Sequence, residues 1–283
     1  MLSLAHASLR VELLDPADAA DQPRQGTRYC HGGYIWQVHD RTLGPLLAGP
    51  EFPAPAPTPF NGQGLPESFR HRTRDGRPLT WEQNEGLGLG VGLLHQDAAR
   101  DVSVGTPGAW QVERGADWVH FTSTLSGAGR AATVRRELRL HDRTLVSRTT
   151  LRNTGTRALD LQWFAHPFWP LSAGRARIAL PRGASVAENP GFAVDAAGLL
   201  TFRRPFVGPD DSQFALLHLP PGQPLELTLD HPLLTRVTFA TDFVPDECPV
   251  WANAHTVSVE PYLYLQLAPG ASRTWQLTHT FVA

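Results

Sequence analysis

Apolar and polar positions alternate with a period of two over much of the chain, which is the pattern of half-buried strands and not the 3.6-residue period of an amphipathic helix. In 117–125 (DWVHFTSTL) the alternation runs through Trp118, Val119, Phe121 and Leu125, and 132–140 (ATVRRELRL) and 144–152 (TLVSRTTLR) repeat it. The short link His141-Asp142-Arg143 reads as a hairpin turn, and Asn153-Thr154-Gly155-Thr156 closes the next run with turn residues. Further strands are predicted at 158–164, 213–219, 225–229, 234–240, 256–267 and 273–281, each bounded by Pro or Gly. No stretch reads as an amphipathic helix. Short strands punctuated by 25 Gly and 25 Pro predict an all-β, mostly antiparallel sandwich or barrel.

Length and composition refine that picture. The 283 residues fit one large β domain, so 1–283 is read as a single unit. The proline-rich stretch Pro50–Pro59 is read as a stiff loop and not a boundary, because the part before it is too small to fold alone. Apolar residues make up 41% of the chain, with eight Trp and thirteen Phe, enough for a large core and incompatible with a disordered chain. The formal charge is −2 and the 25 basic residues, all Arg, are scattered among 27 acidic ones. That leaves no basic stripe for a phosphate backbone and argues against nucleic acid as a partner. Cys30 and Cys248 match no zinc or redox spacing and are expected as reduced structural thiols. The N-terminal residues lack a signal-peptide pattern and no apolar run reaches membrane-spanning length. The expectation is a cytoplasmic protein, monomer or homodimer, with no membrane partner.

Two residues stand out chemically. Glu260 interrupts the apolar positions Val257, Val259, Tyr262 and Tyr264; it is either a solvent-facing strand residue or a buried carboxylate with a pKa raised toward that of a general base. His166 lies among Trp163, Phe164, Phe168 and Trp169 and directly before Pro167; it is either a core histidine bonded to a backbone carbonyl or a proton donor beside an aromatic sugar platform. Other chemistries find no pattern. The histidines show no HxH or HExxH spacing, so no metal site is expected. The run Gly86–Gly92 lacks the continuation of a phosphate-binding loop and reads as a closely packed strand. There is no Gly-x-Ser-x-Gly elbow.

Five segments, taken in order, resemble the aldose 1-epimerase and galactose mutarotase superfamily, and in particular a branch with a Thr-Arg-aromatic segment followed by a Gly-x-x-Glu-x-Phe segment. They are TRYCHGGYIWQV (27–38), FNGQGLPESF (60–69), LGLGVGLL (87–94), LDLQWFAHPFWP (159–170) and the C-terminal VSVEPYLYLQLAPGASRTWQLTHTF (257–281). The resemblance implies a galactose mutarotase-like β-supersandwich that holds a small-molecule carbohydrate in a cleft without a cofactor. It also implies that Glu260 is the base for the anomeric hydroxyl and His166 the acid for the ring oxygen. Arg28, Glu67, Arg70, His71, Asp242 and Trp251 are the implied substrate-binding residues. The His-Gly box of better-known mutarotases has no counterpart, since His31-Gly32-Gly33 comes too early. GLPESFRHR (64–72) occupies that region instead. Three readings follow: an epimerase, a noncatalytic sugar binder on the same fold, or a carbohydrate lyase or hydrolase.

Overall fold

The computed structural model describes residues 1–54, 56–208 and 210–283. Their strands pair antiparallel throughout. The largest assembly is a ten-stranded sheet with the meander Trp118–Gly127, Arg130–His141 and Thr144–Asn153 toward one edge, continued inward by Ser272–Val282 and Arg236–Thr241. The meander has the register the alternation predicts: Leu140 faces Leu145 and His141 faces Thr144, with Asp142 at φ 49° in the turn. Along these strands Val119, Phe121, Val134, Leu138, Leu145 and Leu151 are buried. On the other face threonines pair across strands, as in Thr124 with Thr133 and Thr150 with Thr274.

Two smaller sheets carry the chemistry. One has five strands, in the order Trp169–Pro170, Thr256–Val259, Cys248–Ala252, Gln213–His218 and Ser185–Val186. The other has three: Tyr262–Leu267, Leu159–Ala165 and Glu67–Arg70. A contiguous apolar core running from Leu2 to Phe281 joins these sheets to the ten-stranded one. Two four-stranded sheets complete the described residues. Among the described residues the helical content is one three-residue 3₁₀ turn, Gln22–Arg24, and no described helix is long and apolar enough to cross a membrane.

Two expectations need correction. The stretch 256–267 is not one strand: it breaks at Glu260-Pro261 and its halves belong to different sheets. Proline cannot donate to a ladder, so Pro261 ends the pairing there. The glycine run is not one strand either. Glu85–Gly88 and Gly92–Gln96 form a hairpin, at whose tip Gly90 has φ +78° and a Cβ would lie 2.5 Å from the Cys30 sulfur. Between Pro50 and Pro59 the described residues form no strand, as expected of a loop; Pro55 lies outside the described residues.

Candidate active site

Both singled-out residues occupy the same kind of position. The chain leaves the three-stranded sheet after Ala165 and joins the five-stranded sheet at Trp169; it makes the reverse crossing between Val259 and Tyr262. Each crossing contains an X-Pro pair, His166-Pro167 and Glu260-Pro261, which holds the preceding residue extended and removes a ladder donor. The flanking register, Phe164 opposite Tyr262 and Trp169 opposite Val257, sets the two crossings side by side. Backbone bonds fix them: His166 N–H donates to the Pro66 carbonyl (2.9 Å), Phe168 N–H to Gly64 (2.8 Å) and Glu260 N–H to Pro249 (2.8 Å). Gly64 has φ +77°, and a Cβ there would lie 2.3 Å from the Ile35 carbonyl oxygen, so only glycine brings this supporting turn close enough.

The result is an acid–base pair in contact. His166 Nε2 lies 3.3 Å from Glu260 Oε1, and each residue is only 4% exposed. The imidazole is walled by Phe168 (ring centroids 4.3 Å), Phe164 (6.0 Å), Trp251 (6.1 Å) and Tyr29 (6.2 Å). Burial pushes the Glu260 carboxyl up to about 7, against the pull of Arg28, Arg74 and Arg70. Burial, reinforced by Arg28, drives the His166 imidazolium well below its ordinary range. Above the depressed histidine range the pair is uncharged with one proton, and it takes its negative charge near neutral pH, at the carboxylate.

The two residues border an open cleft of ≈ 390 Å³. Of the expected binding residues Arg28, Arg70 and Trp251 line it, together with Phe60, Asn61, Arg74, Phe214 and Tyr262. Arg28 is held between the rings of Tyr29 (4.9 Å) and Phe60 (4.8 Å) and donates to the Phe60 carbonyl (3.0 Å). Arg70 donates from Nε to the Arg72 carbonyl (3.0 Å) and from Nη1 to the Tyr262 hydroxyl (3.3 Å). Phe60 and Asn61 come from the loop after the proline-rich stretch, which Glu51 pins by accepting from Thr58 N (2.7 Å), Thr58 Oγ1 (2.7 Å) and the Asn61 amide.

Other expected residues lie elsewhere. The Glu67 side chain points away from the cleft into the core, where it pairs with the fully buried Arg136 and accepts from Ser147 (2.7 Å) and Thr149 (3.2 Å). A carboxylate so enclosed, 2% exposed, is out of a sugar's reach. Asp242 lies just past the end of the strand Arg236–Thr241 of the ten-stranded sheet, exposed and accepting from Gln276 N–H (2.7 Å), and is not part of the cleft lining. His71 borders an adjoining groove and not the cleft. Only half of the expected aromatic nest surrounds His166, because strand alternation sends its flanks inward: Trp163 packs on Trp275 and Phe243, and Trp169 on Phe239. Arg74 was not anticipated; it sits in a polar turn with no periodicity, ion-paired to Glu247 (2.8 Å) and laid over Phe214 (4.8 Å). Among the described residues no group of three His, Cys, Asp or Glu is placed to hold a metal ion.

No protein-family model matches the sequence, and no curated protein matches it. Solved structures do share the fold. A galactose mutarotase-like protein from Lactobacillus casei superposes with a TM-score of 0.63 at 13% identity, over 99% of each chain. A galactose mutarotase related enzyme from Lactobacillus acidophilus gives 0.62 at 12% identity, covering 100% of this chain and 97% of the other. An Escherichia coli K12 protein assigned provisionally as an aldose 1-epimerase gives 0.58 at 16% identity, covering 98% and 97%. The chain therefore has the galactose mutarotase-like β-sandwich fold.

Proposed function

We propose that this protein is an aldose 1-epimerase-like isomerase, with Glu260 as general base and His166 as general acid. The observation that carries the reading is the buried His166–Glu260 contact on the floor of an aromatic, arginine-rimmed cleft. Rings there can stack on a sugar face while arginines and Asn61 bond its hydroxyls. The reactive form is the singly protonated pair with its proton on His166 and Glu260 ionised: Glu260 takes the anomeric hydroxyl proton, and the imidazolium delivers its own from Nε2 to the ring oxygen, leaving a neutral imidazole. The bond between C1 and the ring oxygen breaks, leaving an open-chain aldehyde. Rotation about C1–C2 presents the other carbonyl face, and reclosure with the proton transfers reversed yields the opposite anomer. A carboxylate titrating near neutral pH is suited to this reversible exchange.

A noncatalytic sugar binder is the second reading, favoured by the same 3.3 Å contact, since two groups that satisfy each other need no substrate. The hydrolase reading has less support: Glu260 is the single carboxylate among the described cleft-lining residues, whereas glycoside hydrolysis ordinarily uses two. The test is anomer exchange by NMR over a panel of free aldoses and sugar derivatives as a function of pH. The epimerase reading expects enzyme-dependent exchange on at least one, with kcat/KM falling as pH rises through an apparent pKa near 7, where the pair loses the single proton that His166 must deliver. Saturable binding without exchange at any pH would leave the binder.

A further inference from the structure

Beside the cleft lies a groove of ≈ 350 Å³ that shares Arg28, Phe60, Arg70 and Tyr262 with it and adds Thr27, Ser68, His71, Arg72 and Thr73. No acidic residue lines it. The hydrogen bonds made by its three arginines go to uncharged oxygens: Arg28 to the Phe60 carbonyl (3.0 Å), Arg70 to the Arg72 carbonyl (3.0 Å) and Tyr262 hydroxyl (3.3 Å), Arg72 to Gln96 Oε1 (2.9 Å). Arg74, outside the groove, has Glu247 as its counter-ion (2.8 Å). Glu260 in the cleft acts on Arg28 and Arg70, but no carboxylate stands among the three guanidinium groups in the groove itself; there they repel one another, an arrangement a bound anion relieves. His71 adds a directed donor. Its Nδ1 accepts from Trp81 Nε1 (2.9 Å), which in the neutral ring leaves the proton on Nε2.

The groove is also shaped for more than an isolated anion. Phe60, 62% exposed, stands where cleft and groove meet, and Phe164 and Tyr262, stacked at 4.7 Å, form part of its wall. Cleft and groove each reach the lower end of the roughly 300–1,000 Å³ range of ligand pockets, so each has room for a unit of its own. Resting on the epimerase reading for the orientation of the reducing end, we propose that the substrate is a reducing glycan of at least two units. Its reducing unit lies against Glu260 and His166, and its second unit, in the groove, carries a carboxylate held by Arg28, Arg70 and Arg72.

The experiment compares four probes sharing one reducing aldose: glucose, cellobiose, cellobiouronic acid with its non-reducing glucuronate, and glucose 6-phosphate, with the galactose series in parallel. Anomer exchange and calorimetric binding are both measured on the full chain. The acidic disaccharide should exceed its neutral counterpart roughly tenfold to a hundredfold, the range for hydrogen bonds to a charged group, and the margin should shrink with salt. Arg72→Gln should bring the ratio close to one, and Arg72→Lys should retain part of it, with unchanged circular dichroism for both. Equal handling of acidic and neutral disaccharides would overturn the proposal. So would a preference for the 6-phosphate with no gain from a second unit, which would assign the arginines to a phosphate on the reacting sugar. If nothing exchanges but cellobiouronic acid still binds in an Arg72-dependent way, the subsite stands and the epimerase reading falls. If none of the probes binds, the subsite falls.

Discussion

Replacing Glu260 by glutamine should stabilise the protein in a pH-dependent way. The carboxyl titrates at about 7 in the fold against an ordinary 4.5. Below pH 4.5 it is protonated in folded and unfolded chains alike, and it contributes no difference. Between the two values the unfolded chain loses the proton while the fold keeps it, so stability falls as pH rises. Above 7 the folded protein carries the whole cost, about 3 kcal/mol at ~1.4 kcal/mol per pKa unit. The amide has nearly the same shape and never ionises. Glu260→Gln should thus match the wild type near pH 4 and exceed it by up to about 3 kcal/mol at pH 8. The depressed His166 pKa acts in the opposite direction, since stability there is lost as pH falls through the ordinary histidine range, but both proteins share it and it largely cancels. Urea unfolding at the two pH values, with a constant m-value, reads the difference directly. A variant less stable than the wild type at pH 8, or one with the same gain at both pH values, would refute the reasoning.

Three further outcomes follow from the core. Arg136→Met should cost roughly 3–5 kcal/mol by leaving Glu67 buried without its partner, and pairing it with Glu67→Leu should recover much of the loss in thermal melts. Cys30 and Cys248 are buried free thiols, with burial pushing Cys30 up to about 11 and Cys248 higher still; a disulfide reagent should titrate neither in the native protein and both in denaturant. Because one apolar core spans the sheets, circular dichroism and Trp fluorescence should report a single coincident unfolding transition.

The sequence was most legible where one face of a strand is buried. The meander Trp118–Asn153 follows its alternation almost residue for residue, because a period-two pattern fixes which side chains enter the core. The two prolines that place His166 and Glu260 were visible too, yet their joint meaning was not: that both crossings link the same pair of sheets is a property of the topology. Glu67 and Asp242 were misplaced for a related reason. Nothing local to GLPESFRHR says that Glu67 faces Arg136 on a strand 69 residues away, and a motif match does not fix a side chain's face. Arg74 and Phe60 sit in turns whose polar and proline-rich composition carries no periodicity, so only the loop pinned by Glu51 and the ion pair with Glu247 bring them to the cleft.

The central claim is that Glu260 and His166 together exchange anomers, and saturation transfer between the α and β resonances of an active sugar tests it most directly. The account predicts that Glu260→Gln and His166→Asn each slow exchange by roughly 10² to 10⁴ while leaving sugar affinity nearly intact. It further predicts that the double variant is less impaired than the product of the single effects, because the two residues serve one proton-transfer sequence. Exchange at the wild-type rate in a folded, sugar-binding Glu260→Gln protein would contradict it.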